Sequence, residues 1–166
     1  MSTPSIQNNL LIGIWKLISA TAIYADGTVT PDVYGTHPVG YITYTSDGHM
    51  MVMFSRSDRT PLSQEVRSPL TPQMQSLPVE ELAQAFTTFN AYAGTYTLSG
   101  NTVTHQIKIA SIPNRVGTTL VRTFTLNESR LTLVTPPVLS DGVEAVFELL
   151  WERTHYSKGS SLSITK

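Results

Sequence analysis

Val103-Thr104-His105-Gln106-Ile107-Lys108-Ile109 alternates strictly, so a strand there places Val103, His105, Ile107 and Ile109 on one face and Thr104, Gln106 and Lys108 on the other. The next periodic stretch repeats the pattern: Leu120, Arg122, Phe124 and Leu126 share one face, and Thr119, Val121, Thr123 and Thr125 the other. Two ionisable groups, His105 and Arg122, therefore point toward what otherwise reads as core. An unpaired buried charge costs roughly several kcal/mol, so both need partners or a ligand. The pattern implies a β-barrel with a polar floor to an internal pocket.

The rest of the chain agrees with an all-β reading. Short segments rich in Thr, Val, Ile and Tyr are separated by Gly, Asp, Asn and Pro, which is the punctuation of antiparallel strands. Eight strands are predicted: Gly13 to Tyr24, Val39 to Thr45, His49 to Ser55, Gly94 to Leu98, Thr102 to Ala110, Thr118 to Leu126, Arg130 to Thr135 and Glu144 to Arg153. Asp26-Gly27, Asp47-Gly48, Gly100-Asn101 and Asp141-Gly142 supply turn residues that tolerate positive φ. A type I turn with a glycine bulge at Ser46-Asp47-Gly48 pairs Thr45 with His49, Tyr44 with Met50 and Ile42 with Val52, which gathers four apolar residues on one face. One helix is predicted over 78–91, with Pro78 in its first turn, Glu80 and Glu81 near its positive end, and Leu82, Phe86 and Phe89 on one face, as a cover for one barrel end. Residues 56–77, rich in Pro, Ser, Gln and Arg, have no usable period and read as a long mobile loop or lid. The expected organisation is an N-terminal lead over 1–12, a barrel domain over 13–154 and a flexible C-terminal tail over 155–166.

Composition bounds the function. At 166 residues the chain is long enough to bury one core without staples. It has no cysteine, which excludes disulfides and thiolate chemistry. A net charge of -1, from 11 basic and 12 acidic residues, offers no footprint for nucleic acid. No basic leader with an apolar segment opens the chain, and no window approaches the ~20 apolar residues that span a bilayer. A soluble, cytoplasmic protein with no membrane partner is the expectation.

Several segments carry a resemblance. Gly13-Ile14-Trp15-Lys16-Leu17 on the first strand, and Leu150-Trp151-Glu152-Arg153 on the last, are similar to the lipocalin signature. Gly40-Tyr41-Ile42-Thr43-Tyr44 with Asp47-Gly48-His49-Met50, Ala91-Tyr92-Ala93-Gly94-Thr95-Tyr96, Val103-Thr104-His105, Pro113-Asn114 with Gly117-Thr118, Arg122-Thr123-Phe124, and Leu131-Thr132-Leu133 with Thr135-Pro136-Pro137 resemble the short microbial lipocalin-like domain family. The resemblance implies an up-and-down, calycin-type antiparallel barrel of about eight strands around an apolar cavity. It also implies that Trp15 and Arg153 stack as a structural plug at one barrel end. It implies no single activity, since such barrels include carriers of hydrophobic molecules and resemble cofactor-free cyclases or isomerases of natural-product pathways.

The candidate ligand-binding residues are Tyr44, Tyr96, His105, Asn114, Arg122 and Phe124. His105 can exchange a proton near its reference pKa of ~6.5, or can be a neutral histidine bonded to a tyrosine hydroxyl. Arg122 can clamp a carboxylate, enolate or carbonyl through its planar fork, or pair with a buried acid. Glu148 has the wrong parity for that pair if Phe147, Leu149 and Trp151 face inward. The hydroxyls of Tyr44 and Tyr96 need partners, whereas Tyr41 has outward parity. Asn114, in the Pro113-to-Gly117 loop, can sit at the pocket mouth or simply make the turn. His37, His49, His105 and His155 show no metal-ligand spacing, and no nucleotide or serine-nucleophile motif is present, so no metal and no cofactor are expected. The reading is binding of a small, mostly hydrophobic molecule in the barrel. The alternative is a cofactor-independent isomerase, cyclase or hydratase, with His105 as general acid or base and Arg122 beside it.

Overall fold

The chemistry of one turn sets the register of the first long hairpin. Gly48 adopts φ 87°, its N–H donates to the Thr45 carbonyl, and the Thr45 N–H donates to the His49 carbonyl at 2.9 Å. Tyr44 then lies opposite Met50 and Ile42 opposite Val52, and all four are buried. The burial of that apolar face and the geometry of the turn select the same pairing.

The computed structural model describes residues 9–140 and 142–155. Its strands are β1 (Gly13–Tyr24), β2 (Val29–Thr30), β3 (Val39–Tyr44), β4 (His49–Ser55), β5 (Phe89–Ser99), β6 (Thr102–Ala110), β7 (Thr119–Asn127), β8 (Arg130–Val134), β9 (Val138–Ser140) and β10 (Val143–Arg153). Eight of them form the ring β1-β3-β4-β5-β6-β7-β8-β10, closed by pairing of β10 with β1, while β2 and β9 are short additions. Every pairing is antiparallel. Closure leaves none of the eight main strands as an exposed edge.

Two bulges turn the side-chain alternation over within a strand. In β1 the register shifts between Leu17 and Ser19, so Trp15 and Leu17 face the core and so do Ala20 and Ala22. In β6 one extra residue lies between the partners of Ala93 and Gly94, which are Ile109 and Ile107. The expectation that Ile109 faces inward is therefore corrected: Ile109 is 66% exposed, because the extra residue reverses parity beyond Ile107. Gly94 makes this close approach possible, since a Cβ there would overlap the Gln106 carbonyl oxygen.

The helix α1 (Pro72–Gln75) is a single turn, and α2 (Val79–Thr87) is shorter than the predicted 78–91. Residues from Phe89 onward pair with β4 instead, so β5 begins five residues before the predicted Gly94. Helix α2 packs against the start of β5. The 56–77 segment is tied to it: Arg59 Nη2 donates to the Ala85 carbonyl at 3.0 Å and the Ser63 N–H to Glu81 at 2.9 Å. Of the expected lead and tail, 1–8 and 156–166 lie outside the described residues.

One barrel end is closed by the residues just before β1. Leu11 is buried, and Trp15 Nε1 donates to its carbonyl at 2.8 Å. The Arg153 guanidinium lies 4.0 Å from the centroid of the Trp15 ring, and its two terminal nitrogens donate to the carbonyls of Ile12 at 2.7 Å and Leu10 at 2.6 Å. Gly13 leaves room for this stack, since a Cβ there would come within 2.8 Å of Arg153 Nη1.

Candidate functional site

The barrel holds a cavity of about 430 Å³, within the size range of small-molecule sites. Its walls are mostly apolar, with Ile42, Val52, Phe54, Leu133, Leu149 and Trp151 among them. Tyr34, Asn90, Tyr92, Arg115 and Arg122 supply its larger polar side chains. Strand parity accounts for the apolar wall: β10 turns Phe147, Leu149 and Trp151 inward and leaves Glu148 exposed.

Arg122, half-buried on β7, lines this cavity, and its Nη1 donates to the Val121 carbonyl at 2.8 Å. Arg115 reaches the same cavity from a short 3-10 turn, Pro113–Arg115. Its Nη1 donates to Asn90 Oδ1 at 2.9 Å, and its guanidinium lies 5.8 Å from the Tyr92 ring centroid. Burial raises the pKa of Tyr92, against the opposing charges of Arg122 and Arg115. Its phenol therefore stays protonated near neutral pH, as a hydrogen-bond donor.

His105 is fully buried on β6. Its Nε2 shares a hydrogen bond of 2.9 Å with the Tyr44 hydroxyl, and its ring lies 6.0 Å from that of Tyr92. Its Nδ1 has no hydrogen-bond partner among the described residues. Burial, followed by the Arg122 charge, lowers its pKa to about 3, so the ring is neutral across the physiological range. Burial likewise pushes the Tyr44 phenol up. Neither His105 nor Tyr44 is part of the cavity wall; together they form a buried polar pair in the core.

The remaining predicted residues are dispersed. Tyr96 donates its hydroxyl proton to the Thr45 carbonyl at 2.7 Å and accepts from Asn9 Nδ2 at 2.7 Å. Phe124 packs against the core cluster. Asn114 is outside the cavity wall, although its neighbour Arg115 belongs to it. Sequence reasoning missed Asn90 and Tyr92 as site residues because the predicted strand began at Gly94. Extending the even parity of Tyr96 and Gly94 backward would have turned both inward. Tyr34 sits between strands, where no periodicity points to it.

Among the described residues no three His, Asp or Glu side chains converge as a metal site would require. No helix of the described residues is long and apolar enough to cross a membrane.

A family model described as a lipocalin-like domain matches residues 12–154. The chain belongs to the lipocalin-like domain family. The closed eight-stranded barrel is the architecture expected of that family. Among solved structures the chain is similar to an uncharacterised protein from Bacteroides eggerthii DSM 20697, with a TM-score of 0.43 and 11% sequence identity, over 87% of this chain and 99% of that one. No curated protein matches the chain significantly.

Proposed function

We propose that this lipocalin-like protein binds a small, mostly hydrophobic molecule inside the barrel, with its polar end oriented by Arg122 and Tyr92 and with His105 and Tyr44 supporting that wall from within. The cavity of about 430 Å³ carries the reading, because its wall is predominantly apolar and its larger polar groups are few. A well-packed barrel of this size has few internal voids larger than a water molecule. Tyr96, Asn114 and Phe124 have structural roles in this reading: Tyr96 ties the Thr45 carbonyl to Asn9, Asn114 belongs to the turn that carries Arg115, and Phe124 packs against the core cluster.

The geometry weighs against His105 as the acid or base of an isomerase, cyclase or hydratase. A group with a pKa of about 3, set behind the cavity wall, is poorly matched to proton transfer near neutral pH. The test of the binding reading is titration of the full chain with an uncharged solvatochromic dye, together with native mass spectrometry of protein purified without added ligand. Saturable binding at one site per chain, or a copurified apolar molecule, is the expected result. Absence of both overturns the reading.

A further inference from the structure

The cavity has two cations on its wall and no carboxylate. Among the described residues neither Asp nor Glu lines it, and neither Arg115 nor Arg122 forms an ion pair. Elsewhere in the molecule three exposed arginines do have carboxylate partners: Arg56 with Asp58 at 2.7 Å, Arg67 with Glu65 at 2.7 Å and Arg130 with Glu152 at 2.8 Å. The overall net charge is -1, so the positive charge in the cavity is a local concentration and not a property of the whole surface.

The two guanidiniums line one cavity together with Tyr92. Arg115 lies over the Tyr92 ring and is held by Asn90. Arg122 lines the same cavity from β7. The single hydrogen bond found for Arg122 among the described residues, to the Val121 carbonyl, leaves most of its five donors free. A protonated phenol and two planar forks on one wall form a set of donors with few acceptors of their own. Trp151, 1% exposed, adds an apolar surface to the same wall.

We propose that the cavity selects an amphipathic anion, an apolar body bearing a carboxylate or comparable planar oxyanion, whose charged end lies between Arg122 and Arg115 beside the Tyr92 hydroxyl. Arginine suits this role because its planar fork matches a carboxylate bidentately. The anion supplies the counter-charge that the cavity wall lacks. The apolar body occupies the space bounded by Val52, Leu133 and Leu149. The proposal rests on the cavity being the binding site, and the probes are chosen so that the two ideas fail differently.

The probes are decanoate, decan-1-ol and decylamine, which share a chain and differ in head charge, titrated calorimetrically into the full-length protein at neutral pH. Decanoate is expected to bind roughly 10- to 100-fold more tightly than decan-1-ol, the range set by charge-assisted hydrogen bonds, and decylamine to bind weakest. Arg122→Gln and Arg115→Gln should each reduce decanoate affinity by a larger factor than that of decan-1-ol, and the double variant should bring the two within about threefold. Circular dichroism of each variant checks that the barrel has formed, and retained saturable binding of decan-1-ol shows that the cavity is intact. Equal affinity of the wild-type protein for decanoate and decan-1-ol overturns the anion proposal and leaves the cavity as a neutral-ligand site. Binding of none of the three overturns the binding reading itself, and the proposal with it.

Discussion

Tyr44 and His105, 61 residues apart in the chain, share a buried hydrogen bond of 2.9 Å between the phenol and Nε2. The pair lies between Tyr96 and Tyr92: the Tyr44 ring is 4.9 Å from Tyr96 and the His105 ring 6.0 Å from Tyr92. The bond joins β3 to β6 across the barrel interior, so it links strands that are not neighbours in the ring. It also places a titratable group where protonation is strongly opposed.

That opposition predicts a pH dependence. The folded-state pKa of His105 is lowered from 6.5 to about 3, first by burial and then by Arg122. As pH falls below 6.5 the unfolded chain gains a proton that the folded chain refuses until about 3, so stability is fully present above the unfolded value and is lost progressively across that window. The full loss, reached near pH 3, is on the order of 5 kcal/mol. His105→Gln removes this titration, so chemical denaturation at a series of pH values should show its stability falling less steeply than that of the wild type as acid is added. Identical slopes would mean that His105 is not desolvated in the native barrel.

Tyr44→Phe keeps the ring and removes the hydroxyl, leaving His105 Nε2 buried without its partner. The expected cost is about 1–3 kcal/mol, the penalty for stranding one buried polar group. Combining it with His105→Leu should cost less than the two single changes added together, because the stranded group is then gone. Strict additivity in urea denaturation would argue that the observed bond contributes nothing.

Much of this architecture was legible in sequence because strand parity is a local property. The inward direction of His105 and Val103 follows from alternation and hydrophobicity alone, and the Asp47-Gly48 turn carries its own register, whereas the last strand is apolar on both faces and only the structure decides that Phe147, Leu149 and Trp151 line the cavity. Ile109 was misread for a reason that a single sequence hides: a bulge depends on the partner strand, here on Gly94, whose missing side chain admits the Gln106 carbonyl. The site was less legible than the fold. Arg122 reaches the cavity wall as its parity implies, whereas His105 shares that inward direction and lies off the wall, because depth inside a barrel is set by tilt and neighbouring bulk. Arg115 comes from a short turn with no period, and only the closed ring brings it to Tyr92.

Trp15→Ala should destabilise the protein by ~3–5 kcal/mol, as expected for loss of a large buried aromatic. The substitution also removes the donor to the Leu11 carbonyl and the surface on which Arg153 stacks. Trp15 is not part of the cavity wall, so the folded fraction should bind an uncharged dye within about twofold of wild type. A loss of stability within measurement error would remove the plug from the account of what closes the barrel.

Leu149→Trp separates a cavity that binds from one that is merely present. Leu149 lies on the wall between Phe147 and Trp151, and a larger side chain at that position can extend into the open volume and not into packed neighbours. Overpacking a filled core costs about 1–3 kcal/mol or more, whereas filling an existing void should leave stability within about 1 kcal/mol. The same substitution removes space a ligand would use, so affinity for an uncharged dye should fall at least about 10-fold. Unchanged dye affinity in a stable variant would place binding outside the barrel. A large loss of stability in thermal and urea denaturation would instead show that this part of the wall is already filled.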